Sequence, residues 1–412
     1  MIIILQKFRF FILLLLLFFI TFSLNLSIQY SKYLDFSTEE IYETKVEILN
    51  IYPKEKYDIY KLKAFDFEFF ASFDKNENLN KFDLLNVTLI THNISFMEYL
   101  KGFYSKVIYF DRLERKETFK DKIINKIDSN HNETIIKELF QALFLAVPIS
   151  KELRDICTNY GIAHVIALSG FHIVILSFCI YWIVYFPYSF FHQKFFPYRN
   201  KRFDILIFTL IFLLYYLILT DIVPSLLRAF VMFCLGIYLL RSNIKIFSYM
   251  TLFYTFLIVM ALFPKYIFSL GFWFSIMAVF YIYLFLQYFK NLNKYFQLFF
   301  FNLWMFLIFN PIVHFYFPQT TIEQFLSIII TITFAIFYLF EIVAHIFDFA
   351  IYFDGYIKEF LEYKFYVYEV KTPFYFFIVF LISSFLSIFY KKAFWILNIL
   401  MIIFNLFLYL RF

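Results

Sequence analysis

Long apolar stretches, separated by shorter polar ones, follow one another along most of this 412-residue chain. About 20 apolar residues in a row are enough to cross the hydrocarbon core of a bilayer as a helix. The pattern therefore predicts a polytopic α-helical membrane protein with about ten transmembrane helices. The predicted helices are Phe8 to Ile28 and residues 162–187, 204–221, 224–241, 246–263, 267–289, 295–312, 324–347, 374–390 and 393–410.

A long polar region, residues 32–134, interrupts this pattern near the N-terminus. Short runs within it alternate between apolar and polar residues, as half-buried strands do, and stretches such as Asp74–Asn80 resemble turns. The alternating runs are Lys45–Ile48, Phe65–Phe69 and Leu85–Leu89. Four or five strands in about 75 residues predict a small β-barrel such as an OB fold, and a small β-sandwich would produce the same pattern.

Charges near the first helix predict its orientation. Lys7 and Arg9 precede an apolar run that is longer than the ~7–15 residues of a signal-peptide core, and no clear small-residue cleavage site follows. We therefore predict an uncleaved helix with its N-terminus in the cytoplasm, which places the polar region outside. The segment Ile135–Val147 is too short to span easily and predicts an interfacial or re-entrant helix.

These patterns divide the chain into an N-terminal transmembrane helix, an extracytoplasmic OB-like β domain, a transmembrane core and a set of C-terminal transmembrane helices. The respective bounds are residues 1–31, 32–134, 135–312 and 313–412. With the N-terminus inside, the basic loop Lys194–Arg202 falls in the cytoplasm, as the positive-inside rule requires. Lys391 and Lys392 fall on the wrong side, which leaves the count beyond about residue 312 open. The stretch Asp348–Lys371 is then a cytoplasmic loop or an amphipathic surface helix.

Composition changes this picture little. Hydrophobic residues make up 62% of the chain and the mean hydropathy is +0.72, as expected for a protein solvated mainly by membrane lipid. The 68 Phe and 34 Tyr residues fit an AT-rich coding sequence better than a base-stacking platform. The net charge of +6 does not by itself indicate nucleic acid. The three cysteines form no disulfide framework or zinc motif, and we expect neither a metal nor a cofactor.

Four stretches, in the same order and at similar separations, resemble the sequence blocks of the ComEC family of competence channels. They are ALFLAVPISKELRDICTNYGI at 142–162, AHVIALSGFHI at 163–173, PSLLRAFVM at 224–232 and SLGFWFSIMAV at 269–279. The matching positions include His164, Ser169, Gly170, His172, Pro224, Ser225, Arg228, Ala229, Met232, Gly271, Phe272, Phe274 and Ser275. The resemblance covers roughly residues 40–290, since the polar region lies where the family has its OB-fold domain.

The resemblance implies that the chain is a channel for single-stranded DNA across the cytoplasmic (inner) membrane during natural transformation. It also implies two partners, a periplasmic DNA receptor and a cytoplasmic helicase-like motor, since the chain has no Gly-x-x-x-x-Gly-Lys-Ser/Thr nucleotide loop. Longer family members end in a metallo-β-lactamase-like domain, but no His-x-His-x-Asp-His motif occurs here. We therefore expect no enzymatic activity, and a separate nuclease if one strand is degraded.

A DNA strand needs a hydrated route between helices, because one charge near the bilayer centre costs at least ~2.5–3.5 kcal/mol. The predicted lining of this route is His164, Ser169, Gly170, His172, Pro224, Ser225, Arg228, Gly271 and Ser275. If residues 164–173 form one helix, their polar side chains share a broad face, although they could equally serve only to join neighbouring helices. Arg228 either snorkels to the outer interface, faces a cavity where it meets phosphates, or pairs with Asp221.

In the polar region, cations and aromatic rings are candidate DNA contacts, because OB folds bind single strands through both. The candidates are Lys54, Lys56, Lys61, Lys63, Tyr57 and Tyr60. Acidic neighbours such as Asp58 and Asp66 dilute the positive charge. An ordinary solvated surface is therefore an equally good interpretation.

A second hypothesis is an intramembrane serine hydrolase with Ser169 as its nucleophile. The sequence ALSGF, residues 167–171, differs by one residue from the Gly-x-Ser-Gly pattern of rhomboid proteases. His172 follows three residues later on the same predicted helix, which is a poor position for activating the hydroxyl. A generic small-molecule transporter is a third hypothesis, against which the four ordered blocks argue.

Overall fold

A computed structural model describes residues 2–77, 79–240 and 248–410 of the chain. These residues form an N-terminal helix, a β domain and a large helical region, in that order. The first helix, α1 (Ile2–Ser37), is longer than predicted because it continues into the β domain. There Phe36 packs among aromatic side chains, so the helix and the β domain share one hydrophobic core.

Six strands form the sheet of the β domain. They are β1 (Ile41–Pro53), β2 (Asp58–Lys63), β3 (Glu68–Phe73), β4 (Leu84–Ile90), β5 (Phe103–Tyr104) and β6 (Val107–Leu113), with helix α2 (Phe96–Lys101) between β4 and β5. The strand order is β5-β3-β2-β1-β4-β6, with β3 and β5 parallel and the other neighbouring pairs antiparallel. Since this order is open, with β5 and β6 at its edges, the predicted closed barrel is not confirmed.

The alternation of apolar and polar residues predicted from the sequence is present in this sheet. Ile48, Phe69 and Val87 are 0% exposed, while the residues between them point away from the core. Phe65 is an exception, because β3 begins only at Glu68. The chain turns before the strand, and the Phe65 ring is 95% exposed.

Four short helices connect the β domain to the first long helix of the membrane region. They are α3 (Phe119–Ser129), α4 (Thr134–Leu145), α5 (Lys151–Asn159) and α6 (Ala163–Ile166). Helix α4 corresponds to the segment predicted to be interfacial or re-entrant. Its residues Ile136, Phe140 and Leu143 are 0% exposed, so one face of α4 packs against protein.

The remaining helices make up the membrane region. They are α7 (Gly170–Phe195), α8 (Lys201–Leu219), α9 (Pro224–Leu240), α10 (Tyr249–Leu262), α11 (Leu270–Phe289), α12 (Lys294–Tyr316), α13 (Leu326–Ile346), α14 (Asp354–Leu361), α15 (Phe374–Leu386) and α16 (Lys391–Tyr409). Strand β7 (Gln319–Thr320) pairs with β8 (Tyr368–Glu369) on either side of α13 and α14.

Seven helices in the described part of the chain are long and apolar enough to cross a membrane, and the protein is a multi-pass membrane protein. These are α1, α7, α8, α11, α12, α13 with the turn before it, and α16. Three of the ten predicted segments correspond to α9, α10 and α15, which are apolar but only 10–17 residues long.

Both ends of α13 lie on the side of the helical region that carries the β domain. Before α13, helix α12 ends at Tyr316, whose ring contacts Phe274 near the start of α11, and the turn before α11 touches α2 of the β domain. After α13, Asp348 is ion-paired with Lys126 of α3. Helix α13 therefore does not carry the chain to the opposite side, although its length would allow it to span.

In the topology predicted from the sequence, Lys391 and Lys392 fell on the wrong side of the membrane. The observed course of the chain around α13 removes this disagreement. Lys391 and Lys392 begin α16 next to the end of α11, where Nε2 of Gln287 donates a hydrogen bond to the carbonyl of Ile388 (3.1 Å). They therefore lie on the same side as Lys290, as the positive-inside rule requires. The charged stretch after α13 lies on the side of the β domain, so it is not a cytoplasmic loop if that domain is external.

Cysteine labelling tests this topology. In a background without the three native cysteines, Tyr366→Cys and Tyr390→Cys should react with a membrane-impermeant maleimide from opposite sides. Both side chains are well exposed, at 76% and 62%. Tyr366→Cys should label in intact spheroplasts together with Tyr57→Cys of the β domain. Tyr390→Cys should label only after permeabilisation, together with Tyr295→Cys at the start of α12. Labelling of Tyr390→Cys from outside would show that α13 crosses the membrane.

Candidate functional site

The segment from His164 to His172 is not one helix. Helices α6 and α7 are separated by an extended backbone at Ser169. The prediction that three polar side chains share a helical face is therefore wrong, because the break changes the direction of the chain between them. His164 instead contacts α13, with 3.3 Å between its Nε2 and the Oγ1 of Thr331.

Ser169 begins α7 as its N-cap and forms a capping box with His172. Its backbone N–H donates to Nδ1 of His172 (3.2 Å), and its Oγ accepts the N–H of Phe171 (3.3 Å). An N-cap of this kind stabilises a helix by about 1 kcal/mol. Because Nδ1 accepts a hydrogen bond, the neutral ring carries its proton on Nε2. The ring packs edge-on against Phe334 and Tyr338 of α13.

This geometry does not support Ser169 as a hydrolytic nucleophile. Nδ1 of His172 lies 3.3 Å from the serine Oγ, but it already accepts the backbone N–H of Ser169. The Nε2 atom is buried and has no hydrogen-bond partner among the described residues, so no carboxylate there orients the ring. A serine hydrolase needs a base that is free to take the hydroxyl proton and is held by a third group.

Three of the four sequence blocks meet at a buried arginine, Arg228 of α9, which is 5% exposed. Its Nε donates to the Oγ of Ser275 on α11 (2.6 Å), and its Nη1 lies 3.0 Å from the sulfur of Met232. In the described ranges, no aspartate or glutamate side chain is close enough to form an ion pair with it. We call Gly170, Arg228, Met232 and Ser275 the Arg228 cluster.

The first turn of α7 lies directly against this guanidinium. A Cβ atom on Gly170 would be 2.8 Å from Nη2 of Arg228 and 3.2 Å from Cβ of Ala229, so a larger residue would require the end of the Arg228 side chain to shift. The start of α7 also carries the positive end of its helix dipole, although Ser169 already accepts the N–H of Phe171. The Arg228 cluster therefore combines a buried cation with a helix N-terminus, and both favour an anion.

Other residues of the blocks hold these helices in place. Pro224 is the first residue of α9, where its fixed φ suits a helix. The Oγ of Ser225 donates to the carbonyl of Leu168, in the extended stretch before α7 (2.6 Å). Gly271 lies in the first turn of α11, where a Cβ atom would meet only the Oγ of Ser269, at 3.8 Å. Gly271 is therefore not a position of close helix approach.

Asp221 ties the turn between α8 and α9 to the β domain. Its Oδ1 lies 2.8 Å from the Nζ of Lys63, and its Oδ2 lies 2.5 Å from the Nζ of Lys120. Burial opposes ionisation of this carboxyl, but the hydrogen bonds from the two lysines outweigh it and lower its pKa. The alternative in which Asp221 pairs with Arg228 is therefore wrong. Lys63, a candidate DNA contact, is instead paired with Asp221.

The other DNA-contact candidates of the β domain divide between its core and its surface. Tyr60 is 3% exposed and packs against Phe73, so its ring offers no face to a base. Lys61 is paired with Glu68 at 2.7 Å. The accessible candidates, in the exposed turn between β1 and β2, are Lys54, Lys56 and Tyr57.

A second polar cluster, which the sequence did not predict, lies where the end of α13 meets the α3–α4 turn. It contains His131, Glu341, His345 and Asp354, and 2.9 Å separates the Nε2 atoms of the two histidines. The histidines are 214 positions apart, so no spacing rule could pair them. The sequence signal that could have indicated this cluster is the pair Glu341 and His345, four residues apart in an otherwise apolar helix.

Comparison with known protein families gives a match over most of the helical region. The family model described as Competence protein matches residues 147–411. The match extends well beyond residue 290, where the sequence resemblance ended, and it begins after the β domain. No curated protein and no solved structure matches the chain significantly.

Gly170→Ala should destabilise the protein, since the new methyl group must displace the buried Arg228 guanidinium. Overpacking of this kind costs about 1–3 kcal/mol. The matched control is Gly271→Ala, a second glycine in the first turn of a membrane helix, which should melt at or slightly above the wild-type temperature. Thermal melting of the purified full-length protein in detergent checks both variants. Equal melting temperatures would contradict the tight approach of α7 to Arg228.

Proposed function

This chain belongs to the Competence protein family, and on that premise we propose that it carries single-stranded DNA across the cytoplasmic membrane during natural transformation. Family membership indicates a role in DNA uptake, and the apolar helices make the chain a multi-pass membrane protein. In a Gram-negative cell the membrane is the inner one. The chain acts as a channel, and its helices provide the route for the strand.

The Arg228 cluster is the observation that carries this proposal. A charge surrounded by membrane helices is costly unless an opposite charge compensates it. Among the described residues, the Arg228 guanidinium has a hydroxyl and a sulfur as side-chain partners and no carboxylate. A DNA phosphate binds well both to a guanidinium and to a helix N-terminus, and the cluster places these two groups side by side.

The described conformation is closed to DNA at this cluster. Arg228 is 5% exposed, and its Nε is bound to Ser275. Passage of a strand requires the start of α7 to move away from α9 and α11, so that a phosphate replaces the serine hydroxyl. The extended stretch around Ser169 lies between two helices and provides the point about which α7 moves.

The β domain receives the strand, and its connectivity supports an OB-like barrel. Strands β5 and β6 are two parts of one segment, separated only by Ser105 and Lys106. The N–H of Ser105 donates to the carbonyl of Phe70 in β3 (2.9 Å), and the carbonyl of Lys106 accepts the N–H of Ile90 in β4 (3.2 Å). One bent segment thus connects both edges of the open strand order, as expected for a partly open five-stranded barrel.

The exposed turn between β1 and β2 is the proposed first contact with DNA. Lys54 and Lys56 supply cations and Tyr57 supplies an aromatic face, the two elements by which OB folds hold single strands. Nδ2 of Asn50 donates to the carbonyl of Ile149 (3.1 Å), which places this end of the sheet over the connection between α4 and α5. A bound strand therefore starts close to the helical region.

Partners supply what this chain does not. Unidirectional transport needs energy, which we assign to a helicase-like motor in the cytoplasm. A periplasmic receptor delivers the DNA, and a separate nuclease removes the second strand if it is degraded. These assignments follow from the proposed transport of one strand.

Arg228→Lys should reduce transformation strongly while the protein still accumulates in the membrane. Lysine keeps the charge but loses the fork of N–H donors that binds both a phosphate and Ser275. We expect at least about tenfold fewer transformants, corresponding to ~1.4 kcal/mol of lost stabilisation. The matched control is Arg202→Lys, an exposed arginine at the start of α8, which should transform normally.

Transformation frequency and microscopy of fluorescent DNA are the measurements, with a gene deletion as the reference. The Arg228→Lys strain should hold DNA in the periplasm and exclude it from the cytoplasm. Normal transformation of the deletion strain would overturn the proposed function. Normal transformation of Arg228→Lys alone would remove this residue from the path.

The double substitution Lys54→Gln and Lys56→Gln should weaken single-stranded DNA binding and its salt dependence. Each phosphate contact contributes about 0.7 to the slope of log affinity against log salt, so the slope should fall by about 1.4. The matched control is Lys45→Gln with Lys106→Gln, two exposed lysines elsewhere in the β domain. Fluorescence anisotropy of labelled oligo(dT) with the full-length protein in nanodiscs gives both slopes. Identical slopes for the two double variants would exclude the turn as a binding surface.

A further inference from the structure

Two buried histidines from distant parts of the sequence face each other where α13 meets the α3–α4 turn. His131 is 2% exposed and His345 is 5% exposed, and 2.9 Å separates their Nε2 atoms. Both rings pack on Phe140 of α4, stacked for His131 and edge-on for His345. The two Nε2 atoms are therefore hydrogen-bond partners in a buried setting.

The other nitrogen of each ring shows where its hydrogen lies. Nδ1 of His131 is 2.6 Å from Oδ1 of Asp354, and Nδ1 of His345 is 2.7 Å from the backbone carbonyl of Glu341. Carbonyls and ionised carboxylates only accept, so each Nδ1 carries a hydrogen. In two neutral rings, both Nε2 atoms would then direct lone pairs at each other. One additional proton converts this repulsive contact into an N–H···N hydrogen bond.

The number of protons does not depend on where the additional one resides. If Asp354 is protonated, it donates to Nδ1 of His131, and His131 then donates through Nε2 to His345. This arrangement holds the same total as an ionised Asp354 beside a doubly protonated His131. In either case the three side chains bind one proton more than an ionised carboxylate and two neutral imidazoles.

A proton fits this contact better than a metal ion. Hydrogen-bonded nitrogen donors lie about 2.7–3.2 Å from their acceptors. Two nitrogens bound to a tetrahedral zinc ion at ~2.0–2.1 Å would be about 3.3 Å apart. Across the described ranges, no group of three or more His, Cys, Asp or Glu side chains could hold a metal ion. The contacts around the pair therefore favour a single shared proton.

The Asp354 carboxylate beside the pair compensates one positive charge. Oε2 of Glu341, a residue 1% exposed, lies 3.7 Å from Nδ1 of His345, and Asp354 contacts His131. Helix α4 presents the rings of Phe140 and Phe144 to the pair. Among the other charged groups on the packed elements, Lys126 pairs with Asp348, Lys358 pairs with Glu133, and Asp128 accepts a hydrogen bond from Gln141. The same elements also carry Lys122, Lys137 and Glu359. An opposite charge this close favours the protonated form.

We propose that His131 and His345 bind one proton between them and that this proton fastens the end of α13 to the α3–α4 turn. Separation exposes each imidazole to water and releases the proton above the ordinary range of histidine titration. Above that range the fastened state therefore loses stability as pH rises. Below that range separation is again favoured, because two exposed imidazoles then bind two protons whereas the pair binds one. Since α13 also packs on His172 through Phe334 and Tyr338, the proton is coupled to the start of α7. The inference holds whether or not the chain conducts DNA.

Spin-label distances test this proton site in the full-length protein in nanodiscs, with the native cysteines replaced. Lys122→Cys on α3 and Tyr352→Cys just after α13 are exposed labelling positions on the two elements. At about pH 6.5 the distance should be single and narrow, because there the separated histidines together bind on average no more protons than the pair. Above about pH 7.5, where the separated histidines are neutral, the ratio of separated to fastened protein should increase about tenfold per pH unit, the slope for one released proton.

His345→Phe, which retains a ring on Phe140, should abolish this pH dependence. His314→Gln, at a buried histidine of α12, is the control and should retain it. A distance distribution of the histidine-intact protein that does not change between about pH 5 and pH 9 would overturn the proposal, even if His345→Phe fails to fold. A distance that depends on added zinc or on EDTA would also overturn it, because the shared cation would then be a metal.

Discussion

The burial of one arginine among membrane helices constrains the structure around it. Desolvation of the Arg228 guanidinium is costly, and α11 supplies Ser275 as its partner. Gly170 allows the first turn of α7 to lie directly against the end of the Arg228 side chain. Three helices are thereby held at distances that a single methyl group would disturb. The same electrostatics favour an anion at this position, so the constraint that organises the helices also makes the cluster suitable for a phosphate.

The β domain is attached to the helical region by two different kinds of contact. Aromatic packing around Phe36 makes α1 part of the domain core, and this contact stabilises the attachment. The ion pairs of Lys63 and Lys120 with Asp221 are partly exposed, and such pairs contribute at most about 1 kcal/mol each. They orient the domain over the turn that precedes α9. The β domain is thereby connected to the turn that leads into the helix carrying Arg228.

Helix α13 packs on the start of α7 and also carries part of the cluster around His131 and His345. Near its middle it packs on His172 through Phe334 and Tyr338, and near its end it carries Glu341 and His345. Since both ends of α13 lie on the side of the β domain, its shift would not require a change in membrane topology. A proton at one end of α13 and the position of α7 at its middle are thus mechanically connected.

The sequence by itself determined the membrane class, the positions of ten apolar segments that each contain a helix, the alternation of the β domain, and the family. These features depend on local periodicity and ordered blocks. It did not reveal that α13 returns to its starting side, since length and hydropathy are the same for a crossing and a non-crossing helix. The break at Ser169 was also hidden, because a capping box and a continuous helix use similar residues. Only the tertiary structure decided the partners of Arg228, Asp221 and His345, because burial and long-range contacts set them and sequence spacing does not.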